Sequence, residues 1–226
     1  MPADARLDAR PASDTVLPLD VPAGLHKLAV GGSRGSYVYV PKRYHSNMPA
    51  PLVLLLHGAG GHAHDALRVL LHLAEHAGLI LVAPASRRHT WDIIAGSSYG
   101  PDRELADRAL GLVFRRYRVD PARLAIGGFS DGASYALSLG LANCDLFTHV
   151  LAFSPGFIAP MSARGAPKVF VSHGTEDHIL PIDACSRRIA AQLRGAGYAL
   201  HYEEFEGEHV IPPAVAEAAL AWFLRP

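Results

Sequence analysis

The chain contains the stretch Arg123-Leu-Ala-Ile-Gly-Gly-Phe-Ser-Asp-Gly-Ala-Ser134, in which an apolar run leads into a serine with a glycine two residues away on either side. This pattern predicts a buried strand that turns sharply into a helix, with Ser130 exposed at the tip of the turn. The flanking Gly128 and Gly132 let strand and helix approach each other without a side-chain clash. We therefore expect a nucleophile elbow, with Ser130 as the nucleophile.

The same G-x-S-x-G pattern also occurs at residues 31–35 and 96–100, so context has to separate the three serines. Residues 31–35 join two alternating apolar runs and are typical of a hairpin turn, which makes Ser33 a turn residue. In the third match, Pro101 biases Gly100 away from helical dihedral angles, so the serine does not lead directly into a helix. We expect Ser98 to be a loop residue that lines the site, and the context favours Ser130.

Length and charge indicate a single α/β domain that binds a small molecule. The chain has 226 residues, of which 50% are hydrophobic, and these can bury a sizeable core. Lysine plus arginine and aspartate plus glutamate each number 21, and there is no basic block. This balance argues against nucleic acid or an anionic membrane as a partner. We expect a small, rather neutral partner molecule, a monomer or homodimer, and two free buried thiols at Cys144 and Cys185.

The amino-terminal residues are rich in Ala, Asp, Arg and Pro and contain no apolar run long enough for a signal peptide or a membrane span. We expect residues 1–24 to form a loosely ordered tail and residues 25–226 to form a single catalytic domain. A cytoplasmic protein without integral membrane contact follows as the expected location.

Eight apolar runs bounded by turn residues predict eight strands, at 26–30, 37–41, 52–57, 79–84, 124–127, 149–153, 168–173 and 200–205. The middle runs are continuously apolar, as expected for strands covered on both faces, whereas the first two alternate. Helical patterns separate the later strands, at 63–77, 103–117, 132–142, 182–195 and 213–224. This alternation predicts an α/β fold with a mostly parallel eight-stranded sheet flanked by helices.

From about Leu25 to the carboxyl terminus, the strand count, the order of elements and the elbow resemble the α/β-hydrolase fold. The motifs His57-Gly-Ala-Gly-Gly61, Gly128-Phe-Ser-Asp-Gly132, Thr175-Glu-Asp177 and Gly207-Glu-His209 resemble the compact phospholipase/carboxylesterase group. Acyl-protein thioesterases and polyhydroxyalkanoate depolymerase-like esterases are related to this group. The thioesterase branch commonly has glutamine where this chain has Asp131, which weighs against acyl-protein substrates.

A serine nucleophile needs a histidine to take its proton and a carboxylate to orient that histidine. In an α/β-hydrolase the order along the chain is serine, acid, histidine, from loops after the late strands. Asp177 follows the strand at 168–173, and His209 follows the strand at 200–205. We expect these two residues to complete the site. The rivals are Glu176 and Asp183 for the acid, and His173, His178 and His201 for the histidine.

The glycine-rich segment 57–61 follows the most apolar strand and would present backbone N–H groups, as half of an oxyanion hole does. The other donor would be the N–H of Asp131, while the choice between Ala59 and Gly60 stays open. A plain glycine turn is the alternative. A metal site on His57, His62 and His64 is disfavoured because no second ligand pair follows, and a phosphate loop is disfavoured because its lysine is missing. We expect neither a metal nor a cofactor.

The connection from Phe153 to Lys168 is too short for a cap domain, so we expect an open site. Four residues on loops after strands are candidates for an apolar substrate pocket, although each could equally belong to the core: Trp91, Ile94, Phe157 and Leu180. The Asp131 carboxylate would disfavour anionic substrates if it faces the pocket. We expect hydrolysis of short-chain or aryl carboxylic esters. The alternatives are a non-catalytic scaffold, or a thioesterase, lysophospholipase or acyltransferase with the same three residues.

Overall fold

The computed structural model describes residues 5–11, 22–96, 98–159 and 166–225. Its eight strands form a single sheet. In chain order they are β1 (Gly24–Lys27), β2 (Ser36–Val40), β3 (Ala50–Leu56), β4 (Ile80–Pro84), β5 (Val119–Phe129), β6 (His149–Phe153), β7 (Lys168–Gly174) and β8 (Leu200–Phe205). All eight predicted strands are present, with shifts of a few residues at their ends except in β5, which begins earlier than predicted.

The strands lie in the order β1-β2-β4-β3-β5-β6-β7-β8. The strand β2 pairs antiparallel with β1 and with β4, and every pairing from β4 through β8 is parallel. The sheet is therefore the mostly parallel one that the sequence predicted, with an antiparallel edge. Because the parallel strands all end at one edge, the loops that follow β3, β5, β7 and β8 meet there.

Seven helices cover the two faces of the sheet in the described part of the chain. They are α1 (Ala63–Arg68), α2 (Leu71–Ala77), α3 (Asp92–Gly96), α4 (Pro101–Arg116), α5 (Asp131–Ala142), α6 (Ser186–Gly195) and α7 (Pro213–Phe223). The single helix predicted at 63–77 is broken into α1 and α2, and α3 was not predicted because five residues are too short to show a helical period. The predicted helix at 182–195 begins only at Ser186, since residues after Pro181 form turns.

The apolar residues form one cluster on each face of the sheet. One cluster includes Phe147, Tyr135 and residues of α4 and α5, and the other includes residues of α1, α2 and α7. The central strands contribute to both, because the side chains of successive residues point to opposite faces. Every residue of β4 and β6 is buried, which explains their continuously apolar sequences. None of the helices in the described ranges is both long and apolar enough to cross a bilayer.

The expected loose tail is partly wrong, because residues 5–11 are docked on the protein. Leu7 is buried, and its N–H donates to Asn143 Oδ1 at 2.8 Å, while Asn143 Nδ2 donates to the Ala5 carbonyl at 2.8 Å. Arg6 and Arg10 both pair with Asp145. The prediction failed because single polar contacts with a distant helix end leave no periodic signal in the sequence. The other residues of the predicted tail, apart from 22–24, lie outside the described residues.

The connection between β6 and β7 covers residues 154–167, of which the structure describes 154–159 and 166–167. A segment of this length cannot form a separate domain. This connection is therefore too short to supply a cap domain. Cys144 and Cys185 are both free thiols.

We expect Asn143→Ala to release residues 5–11, because this buried amide holds the backbone of both Ala5 and Leu7. The free energy of unfolding in urea should fall by about 1–3 kcal/mol, the usual cost of leaving buried hydrogen-bonding groups unpaired. Hydrogen exchange should quicken at residues 5–11. Arg10→Ala serves as the control and should change stability little, because it removes a partly exposed ion pair with Asp145 and two hydrogen bonds to carbonyls within the same segment, and leaves the Asn143 amide in place. Unchanged protection of residues 5–11 in Asn143→Ala would contradict this account.

Candidate active site

The turn between β5 and α5 holds Ser130 in a conformation that few residues adopt. Ser130 has φ 57° and ψ −121°, and its N–H donates to the Phe153 carbonyl at 2.9 Å. A Cβ at Gly132 would overlap the Leu56 and His57 carbonyl oxygens, and one at Gly128 would lie 2.5 Å from the Gly132 carbonyl oxygen. Glycine is therefore required on both sides of the turn. Ser130 was predicted to be exposed at its tip, but it is 8% exposed because the neighbouring loops pack around it.

The structure brings Ser130, His209 and Asp177 together, although they are far apart in the sequence. His209 Nε2 lies 2.8 Å from Ser130 Oγ, and His209 Nδ1 lies 2.5 Å from Asp177 Oδ2. The Asp177 side chain is fully buried, and the His209 side chain is 14% exposed. A carboxylate can only accept, so His209 donates from Nδ1 and can accept the Ser130 proton at Nε2. This arrangement can turn the hydroxyl into a nucleophile.

Asp177 is held by backbone groups as well as by His209. Its Oδ1 accepts from the N–H groups of Ile179 at 2.9 Å and Leu180 at 2.8 Å. Burial alone would raise the pKa of Asp177, but the Leu180 N–H and the His209 ring outweigh burial and hold that pKa below its ordinary value. The carboxylate therefore stays ionised at neutral pH.

The rival residues have other surroundings. Glu176 and His178 are exposed beside Asp177, and Asp183 pairs with Arg187. His201 lies in β8, where its ring stacks on Phe170. His173 is buried next to Asp177. Among the described residues, its hydrogen bonds go to Ser186 and Leu180 and not to Ser130.

The glycine-rich loop after β3 passes directly against Ser130, since a Cβ at Gly58 would lie 3.3 Å from the Ser130 Cβ. The Gly60 N–H already donates to the His89 carbonyl at 2.7 Å, so it is not free to bind a substrate. Asp131 is the first residue of α5, where the backbone N–H has no partner within the helix. The geometry thus favours the N–H groups of Ala59 and Asp131 over that of Gly60.

His57 anchors this loop and has both ring nitrogens engaged. Nδ1 donates to the Gly58 carbonyl at 2.7 Å, and Nε2 accepts from the Ser86 N–H at 2.9 Å. Burial lowers the pKa of His57 to about 4, so the ring is neutral at neutral pH. His62 and His64 do not join His57, because His62 contacts Arg34 and His64 packs against Tyr37. The described residues contain no cluster of three metal-ligating side chains.

Arg34 ties the glycine-rich loop to the loop after β4, a role that the sequence did not reveal. Its Nη2 donates to the Gly61 carbonyl at 2.5 Å, and its Nη1 donates to Ser86 Oγ at 3.1 Å and to the Arg88 carbonyl. Arg34 belongs to the first of the two rejected glycine–serine motifs. The hairpin between β1 and β2 is therefore more than a connection, because it carries the guanidinium that joins these two loops.

The four predicted pocket residues lie in different places. Trp91 is fully buried: its ring packs against His57 and Tyr135, and its Nε1–H donates to the His57 carbonyl at 2.8 Å. It is a core residue that supports the glycine-rich loop, so its placement on a pocket wall was wrong. Ile94 is partly buried and packs against the same core. Phe157 is exposed, and Leu180 is partly buried close to Gly156.

Sequence reasoning missed two apolar residues that are exposed beside the catalytic candidates. Ile179 is 70% exposed two residues after Asp177, and Val210 is 49% exposed directly after His209. With Phe157 at 37%, they are three of the five large hydrophobic residues that are exposed in the described part of the chain. Their positions in the sequence, one or two residues after His209 and Asp177, could have identified them as residues near the site. We call Phe157, Ile179 and Val210 the apolar rim.

A cavity of about 440 Å³ lies beside the site, between the loop after β4 and the start of α4. Arg87, Thr90, Ser98 and Asp102 are among the residues that line it. Ser98 lines this cavity, whereas the sequence predicted that it lines the site itself. The Thr90 hydroxyl donates to the Asp131 carboxylate, which ties the residue after the nucleophile to this loop.

Comparison with known proteins connects this geometry to a family. A family model named Esterase, described as "putative esterase", matches residues 28–166. The search among curated protein sequences found no match. Among solved structures, esterase PE8 is similar with 23% identity and a TM-score of 0.65, over 82% of this chain and 95% of that chain.

Two further structures share the fold. The S-formylglutathione hydrolase FrmB from Staphylococcus aureus has 17% identity and a TM-score of 0.70, over 91% of this chain and 99% of that chain. A CE1 ferulic acid esterase from Anaeromyces mucronatus, in complex with ferulic acid, has 18% identity and a TM-score of 0.61, over 88% of each chain. These likenesses establish the α/β-hydrolase fold that the sequence predicted.

We expect Arg34→Ala to loosen the glycine-rich loop without unfolding the protein. The free energy of unfolding should fall by about 1–3 kcal/mol, and the Gly60 amide should exchange faster with deuterium because its His89 partner is no longer held. The matched control is Arg88→Ala, since Arg88 contributes its backbone carbonyl to the Arg34 contacts and its side chain is exposed. Equal exchange of Gly60 in both variants would refute the role given to Arg34.

Proposed function

The chain belongs to the Esterase family, and on that basis we propose that it hydrolyses carboxylic esters through Ser130, His209 and Asp177 by way of an acyl-enzyme. It is a carboxylesterase-type hydrolase of the α/β-hydrolase fold. The observation that carries the assignment of residues is the continuous chain of hydrogen bonds from Ser130 Oγ through the His209 ring to Asp177 Oδ2.

The first half of the reaction acylates the serine. His209 Nε2 takes the Ser130 proton while Oγ attacks the ester carbonyl carbon, and the carbonyl electron pair moves onto oxygen. The N–H groups of Ala59 and Asp131 would stabilise that oxyanion. The tetrahedral intermediate then collapses, the carbon–oxygen bond to the alcohol breaks, and His209 Nε2–H protonates the leaving alkoxide. The acyl group remains on Ser130.

The second half repeats these steps with water. His209 removes a proton from water, whose oxygen attacks the acyl carbonyl, and the intermediate collapses with release of Ser130 Oγ. The proton on His209 returns to the serine, and the acid product leaves. Asp177 remains ionised throughout and stabilises the imidazolium that forms twice in the cycle.

The apolar rim supports short-chain or aryl esters as substrates. Ile179 and Val210 follow Asp177 and His209 closely in the chain and Phe157 follows β6, so their exposed apolar surface is available to a substrate at this edge of the sheet. The described residues include no cap that would enclose a long acyl chain. An acyl or aryl group that covers this surface would gain roughly 25 cal/mol for each Å² removed from water. The ferulic acid esterase with the same fold binds an aryl acid, which is consistent with this class.

We expect Ser130→Ala to lose activity on p-nitrophenyl esters of two to twelve carbons by a factor of about 10⁴ or more. Labelling by a fluorophosphonate should disappear with it. The matched controls are Ser33→Ala and Ser98→Ala, the serines of the other two motifs, and both should keep activity and labelling. Labelling that survives in Ser130→Ala would overturn the assignment, and a parent protein that neither turns over esters nor becomes labelled would favour a non-catalytic scaffold.

We expect Ile179→Ser and Val210→Ser to raise KM for p-nitrophenyl butyrate about 3- to 10-fold with little change in kcat. A contact that binds substrate and transition state equally affects KM alone, and each methylene group buried contributes about 0.8 kcal/mol. Met48→Ser is the control, because Met48 is equally exposed but precedes β3, at the opposite edge of the sheet. A parent enzyme that prefers long-chain lysophospholipid over the butyrate ester would argue against this substrate class.

A further inference from the structure

His173 is a buried imidazole that the proposed reaction does not use. It is the second-last residue of β7, and its side chain is fully buried. Its Nε2 lies 3.0 Å from Asp177 Oδ2, the oxygen that also binds His209 Nδ1. The carboxylate therefore stands between two histidine rings.

The partners of His173 fix the position of its single proton. Nε2 lies 2.7 Å from the Leu180 carbonyl oxygen, which can only accept, so Nε2 carries the proton. Nδ1 lies 2.5 Å from Ser186 Oγ and accepts from that hydroxyl. Burial lowers the pKa of His173, in agreement with a neutral ring. The Nε2–H of this neutral ring is therefore shared: its shorter contact is with the Leu180 carbonyl, and Asp177 Oδ2 at 3.0 Å is the second acceptor and not an ion-pair partner.

Four donors then surround one carboxylate. Oδ1 accepts from the N–H groups of Ile179 and Leu180, and Oδ2 accepts from His209. The His173 Nε2–H, which donates to the Leu180 carbonyl, also lies 3.0 Å from Oδ2. The His173 ring also binds the Leu180 carbonyl, so it fastens both the side chain and the backbone of the segment 177–180 to β7. Each donor to a carboxylate draws charge away from it and makes it a weaker partner for the others.

We propose that His173 is a positioning residue, which as a neutral Nε2–H donor holds Asp177 Oδ2 in line with His209 and limits the charge that Asp177 presents to it. This inference rests on the proposed function, because it concerns the acid of the same three residues. It assigns the buried histidine a part in setting the pH at which His209 becomes an effective base, without contact with the substrate.

The other ionisable groups described near His173 and Asp177 are either paired with an opposite charge or neutral. Glu204 lies opposite His173 in the β7–β8 register and is bound by Arg187. The Cys185 thiol is close to Asp177, and burial raises its pKa, so it is neutral. His209 is the remaining titratable group that faces Asp177. A change at His173 should therefore act on His209 through Asp177.

The test compares His173→Leu, which removes the donor, with His173→Gln, whose side-chain N–H can occupy the place of Nε2–H. In His173→Leu, kcat on p-nitrophenyl butyrate should fall about 10- to 100-fold, as for one lost hydrogen bond to a charged group. The acidic limb of kcat/KM should move up by about 0.5–1 pH unit, because a less solvated Asp177 carboxylate favours protonated His209. His173→Gln should restore most of kcat and the parent pH profile.

A second measurement works without turnover and separates this inference from the proposed function. Imidazole ¹⁵N and ¹H NMR of the resting protein should show His173 with its proton on Nε2, and should show the proton between His209 and Asp177 shifted in His173→Leu but not in His173→Gln. An inactive parent protein with these NMR results would refute the esterase proposal alone. Equal pH profiles and equal NMR shifts in both variants, or an acidic limb that moves down, would overturn the role of His173. If His173→Leu does not fold, the NMR spectrum of the parent protein decides alone, and a proton on Nδ1 of His173 would overturn that role.

Discussion

The close approach of the elbow to the end of β3 determines the geometry of the whole site. Gly132 lies so near the Leu56 and His57 carbonyl oxygens that any side chain there would collide with them. The same approach places Ser130 against Gly58 and leaves the first N–H of α5 beside the glycine-rich loop. Ser130 and the proposed oxyanion donors therefore have one common support, and a displacement of either would misplace both.

The parts of the fold that the sequence predicted well are strands that form apolar or alternating runs bounded by turn residues, both in the buried strand β6 and in the edge strand β8. The bounds of β6 and β8 agree with the predicted 149–153 and 200–205, and the mostly parallel order followed from the alternation of strands and helices. The nominated serine, acid and histidine lie within hydrogen-bond distance, because the topology requires loops after parallel strands to meet at one edge.

The parts that the sequence did not predict depend on single polar contacts between distant residues. Arg34 lies in a segment whose composition indicates a turn, and its partners follow other strands. Trp91 has the pattern of a loop aromatic, yet it is buried because its indole N–H reaches the His57 carbonyl. Residues 5–11 dock through the Asn143 amide. None of these contacts produces a periodic pattern or a local motif in the sequence from which it could be predicted.

The chain has thirteen histidines. For three of them, the hydrogen-bond partners indicate the role of the ring better than the position in the sequence does. His57 and His173 each donate to a backbone carbonyl and accept from a group that normally keeps its proton, so both are locked as neutral rings. His209 instead has a carboxylate on one side and a serine hydroxyl on the other. Only this pairing allows Nε2 to accept a proton from the hydroxyl while the carboxylate at Nδ1 stabilises the imidazolium that forms. His173 also lies near a carboxylate and a hydroxyl, but its Nε2 proton is held by the Leu180 carbonyl and its Nδ1 is occupied by Ser186. Its ring can therefore support Asp177, whereas the His209 ring can perform chemistry.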